Sequence, residues 1–351
     1  MTDTSTTVQD IVRSAASNAT PLCIVGSGSK TFYGRATDGQ PLQLNAHRGI
    51  VDYEPSELVI TARAGTPLTE IEAALAEHDQ MLGFEPPHFG AGATLGGTLA
   101  CGLSGPRRPY AGAARDFVLG MKIINGSGEL LSFGGQVMKN VAGYDVSRLM
   151  VGTLGTLGVL LQASLKVLPR PAEELTLARE AEADEAIRTM NEWAGRALPL
   201  SACAYDGVRL YTRLSGAVTA LHAARLKLGG EIIDAGVGFW ASVRELRHDF
   251  FSSDTILWRL SVPPAAAPID LPGQWFIDWG GAQRWLRSSA PADTIRAAAA
   301  QVGGHATLFR GGDRDAVFHP LAAPLLAVQQ RLKQCFDPHA ILNPGRLYAQ
   351  L

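Results

Sequence analysis

Three glycine-rich stretches carry the clearest chemical signal in the chain. The first, I-V-G-S-G-S-K over residues 24–30, sets Gly26, Ser27, Gly28 and Ser29 directly after a short apolar run. Several backbone N–H groups there, beside Val25 and Lys30, stand clear of side chains and can wrap an anion. The spacing is not that of a Walker A loop, and Thr31 stands where a G-x-G-x-x-G motif needs its last glycine. Alone, this loop reads equally as a tight turn or a phosphate site. The second, G-A-G-A-T-L-G-G-T-L-A over 90–100, offers Gly92, Gly96 and Gly97 for close backbone approach, and the Thr94 and Thr98 hydroxyls as donors. Its other reading is a helix start that needs small residues for packing. The third, G-T-L-G-T-L-G-V-L over 152–160, spaces Gly152, Gly155 and Gly158 by three. That spacing suits a loop running into a strand, with backbone near Val159 free to pair with a heterocycle edge. Three such loops in one region favour a large phosphate-bearing cofactor over coincident turns.

Composition narrows the setting. The chain has 351 residues, enough for two domains at the usual size. Of its 38 glycines, 17 fall between Gly83 and Gly158, with apolar runs between them that argue for a folded region rather than a linker. Lys and Arg number 31 against 33 Asp and Glu, with no basic block, so nucleic acid is not an expected partner. Cys23, Cys101, Cys203 and Cys335 form no C-x-x-C pair, which excludes a simple iron–sulfur or zinc site and reads as reduced thiols in a cytoplasmic chain. The N-terminus is polar and no long apolar stretch occurs, so neither a signal peptide nor direct membrane insertion is expected.

The elements that must position these loops follow from periodicity. Helices are expected over Thr6–Ser17, Thr66–His78 (Thr66 as cap, Pro67 at the first turn), Glu182–Leu198, Ala217–Leu228, Ala292–Val302 and Leu321–Phe336. Strands are expected over Pro21–Val25, Leu42–Leu44, Val59–Ala62 and Leu157–Val167. Phe117–Asn125 and Leu130–Phe133 flank N-G-S-G-E as a hairpin. After L-P-R-P at 168–171 the texture changes to short strands at Ala202–Tyr205, Val208–Leu214, Trp240–Phe250, Thr255–Val262, Trp275–Trp279 and Gln283–Leu286. Helices between such strands suggest a helix-backed antiparallel sheet. The division expected is 1–170, 171–320 and a C-terminal segment 321–351 returning to the first part, in an α+β fold.

V-G-S-G-S-K, the G-A-T-L-G-G-T-L-A segment continuing to Y-A-G-A-A-R-D, K-N-V-A-G-Y-D-V-S-R-L-M-V-G-T-L-G-T-L-G, and the ending I-L-N-P-G-R-L-Y together resemble the FAD-binding domain of the vanillyl-alcohol oxidase, or p-cresol methylhydroxylase, superfamily. Over nearly the whole length the likeness is to the FAD-binding subunits of bacterial glycolate oxidases. The resemblance implies a two-part FAD-binding domain with a smaller cap. It also implies FAD contacts from Gly26–Lys30, from Thr94–Thr98, from the Ala113–Asp116 region including Arg115 and Asp116, and from Gly155–Val159. Lys30, Arg115, Lys139 and Arg346 are candidate charge partners, with surface ion pairing as the other reading. The family's covalent flavin link usually uses a histidine; the first loop has none and His88 reads as an ordinary loop histidine, so noncovalent FAD is expected.

Catalytic machinery is sparse. Larger relatives carry an H-x-G-D-G-N-x-H type metal signature in the second domain, which is absent here, and no metal is expected. His305, Arg310, His339 and Tyr144 are the candidates, each with a structural reading beside it; Asp145 equally suits a helix cap at Val146. The resemblance therefore implies an FAD-binding subunit of a glycolate oxidase or dehydrogenase. It would work beside a larger catalytic flavoprotein and an iron–sulfur subunit, with a small 2-hydroxy acid as the substrate of the complex and membrane association only through partners. A self-sufficient 2-hydroxy-acid dehydrogenase and a non-catalytic flavin-bearing scaffold are the alternatives.

Overall fold

The computed structural model describes residues 2–136 and 143–351. Most of the K-N-V-A-G-Y-D motif, Lys139 included, lies outside them. Two antiparallel sheets organise the chain. Five strands run in the order Ile50–Glu54, Val59–Arg63, Val159–Lys166, Val118–Ile124 and Leu130–Gly134. Eight run in the order Glu231–Ile232, Glu173–Glu180, Arg209–Gly216, Leu200–Tyr205, Gln274–Asp278, Gln283–Arg287, Leu257–Ser261 and His305–Arg310. The arrangement is the two-part α+β architecture expected, with helices backing the larger sheet.

The central strands are buried on both faces almost throughout, because each sheet is packed on either side. Helices Leu68–Ala76 and Leu95–Cys101 bury Leu68, Ile71, Leu75, Leu95 and Leu99 against Ile60, Ala62, Ile123 and Ala163 of the five-stranded sheet. A second apolar cluster joins helix Ser5–Ser17 to the parallel pair Leu22–Val25 and Gln40–Gln43, and to Ile341 and Leu342 of the C-terminal segment. On the eight-stranded sheet, helices Ala183–Ala194 and Val218–Leu228 cover part of the outer face, and Ala292–Gln301 covers Trp258, Leu260 and Leu308. The inner face turns Ala202, Ala204, Phe276, Trp285 and Phe309 toward Tyr33, Leu103 and Leu154.

Buried charge also ties the loops carrying Glu85 and Arg107 to the eight-stranded sheet. Glu85 accepts from Arg107 Nε at 3.2 Å and pairs with Arg213 Nη2 at 2.9 Å, while Glu174 pairs with Arg107. Removing any one member would leave a buried charge uncompensated, which is strongly destabilising.

Several local expectations change. Thr66 does not cap the second helix: its hydroxyl accepts from Gly49 N at 2.9 Å and donates to Gly49 O, and the helix starts at Leu68 behind Pro67. Trp240–Phe250 is not a strand. Gly236–Arg244 is a helix, and its buried residues Gly236, Trp240 and Val243 recur at helical spacing. Strands Ile50–Glu54, Glu173–Glu180 and His305–Arg310 are additions to the sequence reading.

Candidate functional site

Strand Leu22–Val25 delivers the first loop into a cleft lined by Gly26–Thr31, Thr94, Gly97, Cys101, Leu154, Asn343 and Arg346. The cleft is open to solvent, with about 110 Å³ of enclosed space within about 600 Å³ counting the open side. The first two loops touch. Thr94 caps the helix Leu95–Cys101, its hydroxyl accepting from Gly97 N at 3.3 Å. A Cβ built on Gly26 would stand 2.5 Å from that same oxygen, and one on Gly92 would meet Ser27 at 3.4 Å.

The residues fit a long anionic cofactor. Gly28 has φ +78, open to glycine at no steric cost, and Cβ atoms on Gly28 and Gly97 would each meet a single neighbour. Among the described residues the N–H groups of Ser27, Gly28 and Lys30 meet no backbone acceptor. Thr98, fully buried, has a hydroxyl with no partner. Thr94, Gly97, Ala100 and Cys101 of the same helix line the cleft; Thr98 does not. Lys30 is buried too, its Nζ donating to His88 O at 3.1 Å and lying 5.8 Å from the Phe89 ring centre. Burial lowers its pKa, and a nearby anion would offset that cost. Burial pushes the Cys101 thiol up to about 11, which keeps it protonated.

The remaining candidate residues fall elsewhere. Arg346 lines the cleft, but its guanidinium donates to the carbonyls of Thr31, Tyr33 and Arg35 and so shapes the first loop. A Cβ on Gly96 would strike Ala64 at 2.7 Å and one on Gly158 would strike Ile123 at 2.9 Å, so both are glycines for packing. Gly155, φ +74, sits under Asn343 Nδ2. Val159 is fully buried and pairs with Ile124 inside the sheet. Arg115 and Asp116 are exposed, and Asp116 caps its own turn by accepting from Ala113 N at 2.8 Å. His88 pairs with Glu72 at 3.1 Å.

The structure does not gather the catalytic candidates. Tyr144 is 97% exposed, His339 is exposed, and Arg310 donates to Phe251 O at 3.2 Å. His305 is exposed on an edge strand opposite Ser261, its pKa lowered by burial of the ring and then by Arg259. Asp145 does cap the helix Val146–Leu149, accepting from Arg148 N at 3.0 Å. Among the described residues no group of three His, Cys, Asp or Glu is placed to hold a metal ion.

Asn343, buried in the I-L-N-P-G-R ending, was not singled out from sequence. Its Oδ1 accepts from Ile24 N at 2.7 Å and its Nδ2 donates to Leu154 O at 2.6 Å. One side chain thus joins the strand before the first loop to the third loop. The motif's place in the resembling family was the only signal for it.

Residues 2–134 match the FAD binding domain family. Over 349 residues, 99% of each chain, the sequence is 54% identical to the glycolate oxidase subunit GlcE of Escherichia coli strain K12. The chain belongs to the GlcE family of glycolate oxidase subunits. A D-2-hydroxyglutarate dehydrogenase of Xanthomonas citri pv. viticola is 34% identical over 179 residues, 49% of this chain and 37% of that one. The solved structure of an alkyldihydroxyacetonephosphate synthase superposes with a TM-score of 0.67 at 14% identity, covering 96% of this chain and 74% of the other; that likeness is one of fold. For a member of the GlcE family, the buried Lys30 and the open backbone at Gly28 and Gly97 are where a flavin diphosphate would be sought.

Proposed function

We propose that this chain holds FAD noncovalently in the cleft between the first two glycine loops and serves as the FAD-binding subunit of a glycolate oxidase or dehydrogenase complex. The observation that carries the reading is 54% identity over 99% of the chain to a GlcE subunit, in a chain whose glycine cradle and buried Lys30 suit an anionic ligand. FAD, when bound, supplies a two-electron acceptor for converting glycolate to glyoxylate.

The chain's own part is positioning. Ser27, Gly28 and Lys30 offer backbone N–H groups to a diphosphate, Lys30 offers charge, and Asn343 fixes the loops relative to each other. Residues 1–170 form the cofactor part, 171–320 the reduced cap and 321–351 the returning segment. The partners are a larger catalytic flavoprotein and an iron–sulfur subunit, since electrons must leave through centres that these separated cysteines do not build. No described helix is long and apolar enough to cross a membrane; the location assigned is the cytoplasm, with membrane association through partners.

Anaerobic glycolate addition tests the assignment. The chain alone should keep its flavin oxidised, and the co-expressed complex should bleach. Rapid bleaching of the isolated chain would overturn the division of labour.

A further inference from the structure

The turn E-P-P-H-F over residues 85–89 leads into a stretch that runs beside the first glycine loop. A Cβ on Gly92 would meet Ser27 at 3.4 Å, and one on Gly90 would meet Ser29 at 3.9 Å. The Phe89 ring packs edge-on against Phe32, 5.4 Å between centres. Lys30 lines the cleft, and its Nζ donates to His88 O at 3.1 Å and to Ser29 Oγ at 3.5 Å. Where the His88 carbonyl lies therefore sets where the Lys30 ammonium lies.

The cap grips both ends of this turn through carboxylates. At the start, Glu85 pairs with Arg213 of strand Arg209–Gly216 at 2.9 Å. At the end, Glu245, directly after helix Gly236–Arg244, accepts from His88 N at 3.1 Å and from Phe89 N at 2.9 Å. Its side chain is 8% exposed and also accepts from Arg244 Nε at 2.9 Å. Glu85 and Phe89 have φ +45 and +52, left-handed conformations that side chains adopt only where the surroundings impose them. Hydrogen bonds from N–H groups to a carboxylate are about twice as strong as neutral ones, and at Phe89 Glu245 supplies them.

We propose that Glu245 is a positioning residue for the cofactor cleft: by holding the His88 and Phe89 N–H groups it fixes the carbonyl that places the Lys30 ammonium against a bound diphosphate. The role of Lys30 rests on the FAD reading above; the path from Glu245 to Lys30 stands on these hydrogen bonds. The same contact transmits the position of the cap to the first loop. Charge acts beside geometry. Burial lowers the Lys30 pKa, and Cys101 and then Glu245 oppose that shift. The Cys101 thiol, pushed up to about 11, stays neutral below that pH, which leaves Glu245 as the opposing charge. Arg346 lines the same cleft with its guanidinium committed to the Thr31, Tyr33 and Arg35 carbonyls, and the His88 ring faces Glu72.

The test titrates FAD into the apoprotein of the full-length chain across the alkaline range, reading flavin fluorescence, with urea midpoints measured alongside. Lys30→Met should weaken FAD about tenfold or more and flatten the alkaline fall in affinity. Glu245→Gln keeps the reach and loses the charge; it should weaken FAD about fivefold and move the alkaline fall to lower pH. Glu245→Asp keeps the charge and should leave that fall closer to its wild-type place. In the Lys30→Met background, Glu245→Gln should change FAD affinity less than about twofold, because its effect passes through the lysine. Equal weakening by Glu245→Gln in both backgrounds, with the alkaline fall unmoved, would mean a purely structural role and overturn the proposal. Unchanged affinity in Glu245→Gln beside a weakened Lys30→Met would overturn it as well. Unchanged affinity in Lys30→Met would overturn it together with the assignment of Lys30 to the cofactor.

Discussion

Gly26 and Thr94 meet so closely that a Cβ on the glycine would stand 2.5 Å from the threonine hydroxyl oxygen, yet 3.6 Å from its Cβ. The clash is with one atom. Gly26→Ala should therefore destabilise by about 1–3 kcal/mol through overpacking and lower FAD occupancy. Thr94→Ala should cost about 1 kcal/mol through loss of the helix cap. The double variant should be more stable than the sum of the two effects, because the offending oxygen is gone. Chemical denaturation of the four proteins in a double-mutant cycle checks this.

Asn343 joins two loops that are far apart in sequence, and the ending I-L-N-P-G-R exists to place it. Asn343→Leu leaves the Ile24 N–H and the Leu154 carbonyl unpaired in a buried site, a loss of roughly 2–4 kcal/mol. Asn343→Asp should keep the Ile24 bond and lose the other. Denaturation midpoints should rank wild type first, Asp second and Leu last, with FAD retention in the same order.

Asp278 makes stability depend on pH. Its folded pKa is about 7 against an ordinary 3.8, so between those values the unfolded chain has released a proton that the folded chain keeps. The linked stability is full below about pH 4 and is lost as pH rises through about 7. Asp278→Asn removes this loss, and relative to wild type it should gain on the order of 2–4 kcal/mol between about pH 4 and about pH 8. Urea unfolding across that range measures it.

Local chemistry made the loops legible. Glycine types marked backbone approach, but threonine type did not settle the caps: Thr66, expected as one, bonds to Gly49, while Thr94, read as a ligand donor, caps a helix. The hairpin around N-G-S-G-E is present as Val118–Ile124 paired with Leu130–Gly134. What sequence could not separate was glycine for a ligand from glycine for packing: Gly28 and Gly97 open to the cleft, while Gly96 and Gly158 press on Ala64 and Ile123. The helix Gly236–Arg244 went unread in the sequence, although Gly236, Trp240 and Val243 already repeat at helical spacing. Glu245 was invisible for a different reason. It lies far along the chain from His88 and Phe89, so only the folded cap brings it to their N–H groups. Histidines drew attention by residue type, but His305 and His339 are exposed and share no site.

Thr98 carries a buried hydroxyl with no protein partner, on the helix whose Thr94, Gly97 and Cys101 line the cleft. Thr98→Val keeps shape and removes the hydroxyl, so it should leave the fold's stability nearly unchanged. If the hydroxyl serves the cofactor, FAD affinity should fall about fivefold to tenfold, read by fluorescence titration of the apoprotein.

The most direct measurement is the visible absorption spectrum of the purified full-length chain, followed by acid or heat precipitation and assay of the supernatant. The account predicts a flavin spectrum at about one FAD per chain, with all the flavin released into solution. A colourless chain that takes up no added FAD, or flavin that stays with the precipitate, would contradict it.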